Sequence, residues 1–282
     1  VLNNILFLIF SIASGFPFGV IVSVYSPWLK DLSIDLALIS FIGICKLSYS
    51  FKFLWAPLID KYSCKLIRVK NSKKSWMIFC YIIITIALYF VYLIHINKTQ
   101  NNYFSFYQLL ACSFVITFAS ATYDICFDGY RINFYSNKDQ ARGVSHTIFG
   151  YRIGMLITSS FVLSIAHLYS WSTSLLCVCF ISCALLIVLI LSAKYDEKDI
   201  LSDSKLSIHL FLDPIKDLLK KDNIYYILSI ILLFKLGESL LSSVITPFYM
   251  EVGFNKMHIA FVQKLFGFAS TTVGLYIGAY LY

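Results

Sequence analysis

The polar residues of this chain are gathered into short connectors, and between them lie eight apolar runs of about twenty residues each. A helix rising 1.5 Å per residue needs about that length to cross the roughly 30 Å hydrocarbon core of a bilayer. Lipid offers the backbone no hydrogen-bond partner, so a crossing segment of this kind has to satisfy its own backbone as a helix. The runs fall at 5–28, 36–58, 75–96, 105–130, 143–167, 173–193, 224–250 and 258–282. The expected fold is therefore all-α, a polytopic helical membrane protein. Composition agrees: 59% of the residues are hydrophobic and 13% are charged, against about a quarter charged in a soluble domain.

The first run is not preceded by Lys or Arg and is followed by seven more, so it reads as a retained span and not as a cleaved secretory signal. Seven of the eight cysteines fall inside the runs, Cys64 is in a connector, and no CxxC pair occurs. They read as small apolar packing residues, with no disulfide framework or metal site implied.

Positive charge alternates between connectors. Lys61, Lys65, Arg68, Lys70, Lys73 and Lys74 follow the second run, Arg131, Lys138 and Arg142 follow the fourth, and six lysines follow the sixth. The other connectors hold only Lys30, Lys98 and Lys256. The lysine-rich connectors are expected to be cytoplasmic, which places the amino terminus there as well. The net charge of +8 thus reports topology and calls for no nucleic-acid partner.

A repeat divides the chain. SPWLKDLSIDLALISFI at 26–42 aligns without gaps on TPFYMEVGFNKMHIAFV at 246–262, an offset of 220 residues. Spans one and two then correspond to seven and eight, the repeating unit is six spans, and both units face the same way. That is the parallel-repeat plan of major facilitator transporters. The expected organisation is an amino-terminal six-helix bundle at 1–193, a cytoplasmic linker at 194–223 and the first two helices of a second bundle at 224–282. The linker carries a short amphipathic helix capped by Asp213 with Pro214 at its first position. Eight helices of an expected twelve are present, so the second bundle is expected to be incomplete in this sequence.

Charged residues inside the spans cost about 2.5–3.5 kcal/mol each at a helix centre, so they have to pair or line water. Lys46, Arg152 and Lys235 lie roughly 13–17 Å from the nearest span end at 1.5 Å per residue, close to the midplane, and are candidates for binding an anionic group. Asp124, Asp128 and Arg131, at i, i+4 and i+7, share one face of the fourth span. Asp124 and Asp128 are candidates for proton coupling or for a permanent ion pair, and Glu238, three residues after Lys235, repeats the theme. Asp60 and Arg131 end their spans on one side and are expected to meet as a gate, with Lys52 nearby. Gly150 and Gly154 allow close helix contact, as do Gly274 and Gly278.

At these residues the chain resembles the AmpG family of major facilitator permeases. The resemblance runs through SGFPFG at 14–19, KFLWAPLID at 52–60, SATYDICFDGYR at 120–131 and GYRIGML at 150–156, and continues in FKLGESL and TPFYMEVGF. It departs at Tyr123, where the family commonly has Gln, and at Gly129, where it has Ala. The resemblance implies a proton-coupled permease that imports anhydromuropeptides, fragments of peptidoglycan, across the bacterial inner membrane. The implied partners are a small anionic substrate, protons and the lipid bilayer, with the protein acting as a monomer and without a cofactor. Another organic anion, such as acetyl-CoA or a folate, suits the cationic spans equally. A non-transporting remnant or sensor of the same fold is the alternative from a different class. An enzyme is not expected: the five histidines are scattered, and no HExxH motif or other catalytic or metal-binding set is present.

Overall fold

The computed structural model describes residues 2–32, 34, 36–62, 64, 71–97, 102–136, 139–192, 216–220, 223–234, 253 and 266–281. Every element among them is helical. The chain separates into two compact units, Val1–Asp203 and Ser204–Tyr282.

The first unit opens with α1 (Leu2–Gly19), a π-helical turn (Val20–Val24) and α2 (Tyr25–Asp31). Pro17 and Pro27 each withdraw a backbone donor, and between them the ladder widens so that the Tyr25 N–H reaches the Val20 carbonyl. The axis continues through all three pieces as one crossing, Asn4–Asp31. Four more helices are long and apolar enough to cross a membrane: α6 (Ser72–Ile96), Phe106–Phe134 within α7 (Asn102–Phe134), Gln140–Leu168, and α10 (Trp171–Ser192). The Gln140–Leu168 crossing is built from α8 (Gln140–Leu156), a second π-helical turn (Ile157–Val162) and α9 (Leu163–Leu168).

The second span, expected as one helix over 36–58, is broken instead. It consists of α3 (Leu36–Cys45), α4 (Leu47–Phe51), a 3₁₀ turn (Lys52–Leu54) and α5 (Ala56–Lys61). At the first break the Lys46 N–H turns back three residues to the Gly43 carbonyl. At the second, Pro57 lacks a donor and its ring excludes the carbonyl four residues earlier, so the chain tightens before the helix resumes. Periodicity and apolar composition do not register either effect.

The core of this unit is aromatic. Phe7, Phe10, Phe16, Trp28, Tyr81, Tyr123 and Phe127 are fully buried, joined by the aliphatic side chains of α6 and α10. Burying each large apolar side chain contributes about 1.5–3 kcal/mol, although lipid competes with protein for that surface. Shape decides the closest contact, between α1 and α8. A Cβ on Gly150 would strike Ser11, one on Gly154 would strike the backbone of Ile12, Gly15 and Phe16, and one on Gly19 would strike Thr158. Partners stand 139 positions apart, 11 with 150, 15 with 154 and 19 with 158. The two helices therefore run parallel with small residues facing at every turn, the close packing expected of Gly150 and Gly154. The two π-helical turns meet where this seam ends.

In the second unit the described helices are a short one at 216–219, α11 (Ile224–Phe234) and α12 (Gly267–Leu281). A Cβ on Gly274 or Gly278 would meet nothing within 4 Å among the described residues. Lys235 and Glu238, the capping pair Asp213 and Pro214, and most of the expected seventh span lie outside the described residues.

Candidate functional site

The α1–α8 seam brings the motif at 14–19 against that at 150–156. Gly15 lies on the backbone of Tyr151, so span one presents Phe18 where span five presents Tyr151. Ser14 donates its hydroxyl to Asp124 Oδ1 at 2.5 Å, which ties α1 to the middle of α7. Tyr123, beside Asp124, is buried and donates to the Phe10 carbonyl at 3.0 Å, a second tie between the same helices.

The broken second span docks on α7 through Trp55, whose indole donates to Thr122 Oγ1 at 3.1 Å and packs on Phe118 with ring centroids 4.7 Å apart. This anchor holds Lys52 beside α7. Lys52 Nζ lies 4.0 Å from Asp128, and Asp128 also faces Arg131 Nε at 3.7 Å. From the other side of the first break, Tyr49 packs edge-on against Phe18 at 4.8 Å, and Phe18 lies 6.1 Å from the Tyr151 ring. Tyr49 Oη is buried, as is Ser120 Oγ on α7. Tyr49, Tyr151 and Lys52 all lie within electrostatic reach of the Asp124 carboxyl.

Lys46 and Arg152 are partly buried, and neither has an ion-pair partner among the described residues. The expected contact between Asp60 and Arg131 is absent from this conformation. Asp60 pairs instead with Lys73, and Arg131 pairs with Asp128. Gly129 accounts for part of this choice, since Lys73 passes over it with Cε only 3.2 Å from the place a Cβ would occupy.

Lys74, expected in a solvated connector, is buried. Asn71 caps α6, accepting from the Lys74 backbone N–H, so the helix begins at Ser72 and turns Lys74 inward. Its ammonium donates to the Ser192 carbonyl at the end of α10 at 3.0 Å and lies over the rings of Phe10 and Tyr130, at 4.7 and 5.6 Å. A lysine at the negative end of a helix, with two aromatic faces around it, is well compensated. At the opposite end of the unit, Trp28 donates to His95 Nδ1 at 3.3 Å, His95 Nε2 meets Ser172 Oγ at 3.1 Å, and Trp171 donates to Asp31 at 2.8 Å.

Sequence reading missed Ser14, Tyr49, Tyr151 and Lys74. Ser14 and Tyr151 lie inside motifs it had marked, but neither carries the charge that drew attention to their neighbours. Only the Asn71 cap signalled where Lys74 would point.

The Major Facilitator Superfamily family model matches residues 7–281, nearly the whole chain. The chain belongs to the Major Facilitator Superfamily. It is a multi-pass membrane protein of a transporter family, whose substrates are small molecules, and not an enzyme. Its resemblance to AmpG permeases extends over its length. It is 34% identical to the candidate transporter AmpG 4 of Rickettsia felis over 278 residues, covering 96% of this chain and 65% of that protein. It is 29% identical to the candidate transporter AmpG 2 of Rickettsia prowazekii over 288 residues, covering 99% and 67%. It is 28% identical to the anhydromuropeptide permease of Escherichia coli K12 over 283 residues, covering 99% and 55%. The chain thus spans between about half and two thirds of the length of these relatives.

Proposed function

We infer that this superfamily member imports anionic peptidoglycan fragments of the anhydromuropeptide class across the bacterial inner membrane, driven by protons. The observation that carries this reading is the Asp124 site. A carboxylate on α7 is held by the Ser14 hydroxyl and has Lys52 within electrostatic reach, and the same unit carries Arg152 and Lys46, neither with an ion-pair partner among the described residues. A proton-carrying acid next to cations that can receive an anion is what coupled uptake requires. The name of the Escherichia coli relative supplies the substrate class.

In this reading residues 1–193 form the amino-terminal bundle, 194–223 the cytoplasmic linker and 224–282 the start of the second bundle, with the amino terminus cytoplasmic. Arg152 and Lys46, with Lys235, receive the carboxylates of the peptide. Asp124 and Asp128, with Glu238, handle the proton. Asp60, Arg131 and Lys52 belong to the cytoplasmic gate, with Asp60 on Lys73 and Arg131 on Asp128 in this conformation.

The test is uptake of radiolabelled anhydromuropeptide into proteoliposomes holding the full chain, with and without an inward proton gradient. Gradient-dependent accumulation, competed by unlabelled anhydromuropeptide and not by acetyl-CoA or folate, supports the assignment. Uptake indifferent to the gradient, or competed equally by the other anions, overturns it.

A further inference from the structure

Asp124 and Asp128 stand one turn apart on α7, about 6 Å along its axis, yet their partners are unequal. Asp128, half exposed, has two cations, Lys52 at 4.0 Å and Arg131 at 3.7 Å. Asp124 has the Ser14 hydroxyl at 2.5 Å and no ion pair among the described residues. Tyr49 on α4, Tyr151 on α8 and Lys52 lie within its electrostatic reach. Arg131 is fixed to Asp128 by helix register, three residues apart on α7. Lys52 is placed differently: it springs from the 3₁₀ turn between two breaks in the second span, on backbone that no continuous α-helical ladder holds.

We propose that Lys52 is a shared counter-ion that moves between Asp128 and Asp124, a positioning residue for proton exchange at Asp124. With Lys52 on Asp128, Asp124 holds its proton and accepts from Ser14. When that proton passes to water on the open side, the ammonium crosses to the ionised Asp124. Asp128 is not stranded by the crossing, because Arg131 stays with it. Each carboxylate is compensated in both arrangements, so the pair forms a two-state element and not a permanent triad. The reach is short for a lysine, whose stem has four rotatable carbons and whose ammonium donates in three directions. The proposal rests on the coupling reading above, and it explains why a charged residue sits where the span is broken.

The test needs no transport. Dicyclohexylcarbodiimide couples to protonated carboxyl groups in apolar surroundings, and its attachment to Asp124 in the full chain, in membranes, is read by mass spectrometry. Asp128→Asn keeps shape and releases Lys52, so labelling of Asp124 should fall at least fivefold. Lys52→Met should restore labelling to the wild-type level or above, and the double variant should behave like Lys52→Met alone. Lys52→Arg keeps the charge and should preserve the protection seen with Asp128→Asn. Labelling of Asp124 that is unchanged by Asp128→Asn, or that falls equally when Lys52 is absent, overturns the proposal. So does a wild-type protein in which Asp124 is never labelled. Failure here leaves the import reading standing, and absence of import leaves the labelling interpretable.

Discussion

The Ser14 hydroxyl donates to Asp124 at 2.5 Å, joining the first span to the fourth at the level where the α1–α8 seam passes Gly15. A carboxylate in a membrane bundle thereby has a donor that does not neutralise it. Ser14→Ala should leave the fold in place and cost about 1–3 kcal/mol, the range for leaving a buried polar group without its partner. Thermal melting in detergent measures the loss, and a paired Ser14→Ala/Asp124→Asn variant should recover much of it.

The seam itself should be far less tolerant. Gly154→Val places branched carbon against the backbone of Ile12, Gly15 and Phe16, which cannot yield as a flexible side chain can. We expect loss of folded protein, seen as loss of the monodisperse peak in detergent. Gly129→Ala is the contrast, since it meets only the Lys73 stem and should melt within about 0.5 kcal/mol of wild type.

Lys74 clamps the end of α10 through the Ser192 carbonyl while resting on Phe10 and Tyr130. Lys74→Met keeps much of the volume but leaves that carbonyl short of a donor, at about 1–3 kcal/mol. Lys74→Ala should cost more, because packing is lost too. Equal melting of all three proteins would mean that the clamp contributes nothing.

Much of this architecture is legible in the sequence because the bilayer imposes it. Runs of sufficient length become helices, and the small residues at Gly150 and Gly154 announce a close contact whose partner, Ser11 and Gly15, is fixed only by tertiary packing. The broken second span was not legible from hydropathy. Its breaks arise at Gly43 and Pro57, and apolar composition continues across both. At the site, charge made Asp124, Asp128, Lys52 and Arg152 visible. Charge did not reveal which cation each acid would choose, since Asp60 turns to Lys73 through space that Gly129 leaves open.

Arg152 stands near the middle of the Gln140–Leu168 span without an ion-pair partner among the described residues. A guanidinium in that position can hold a carboxylate through two hydrogen bonds. Arg152→Gln should raise the apparent Kd for the anionic substrate at least tenfold, about 1.4 kcal/mol, as measured by competition binding. A change under twofold would remove Arg152 from the binding site.

The central claim is that Asp124 couples uptake to protons, and Asp124→Asn tests it most directly. In proteoliposomes, counterflow exchanges labelled for unlabelled anhydromuropeptide without a gradient, whereas accumulation needs one. The substitution keeps the shape of the side chain and leaves Ser14 an oxygen to bond. Counterflow should stay within about twofold of wild type, a free-energy change under roughly 0.5 kcal/mol, while gradient-driven accumulation is abolished. Equal loss of both activities would make Asp124 a structural residue, and full retention of accumulation would place coupling elsewhere in the protein.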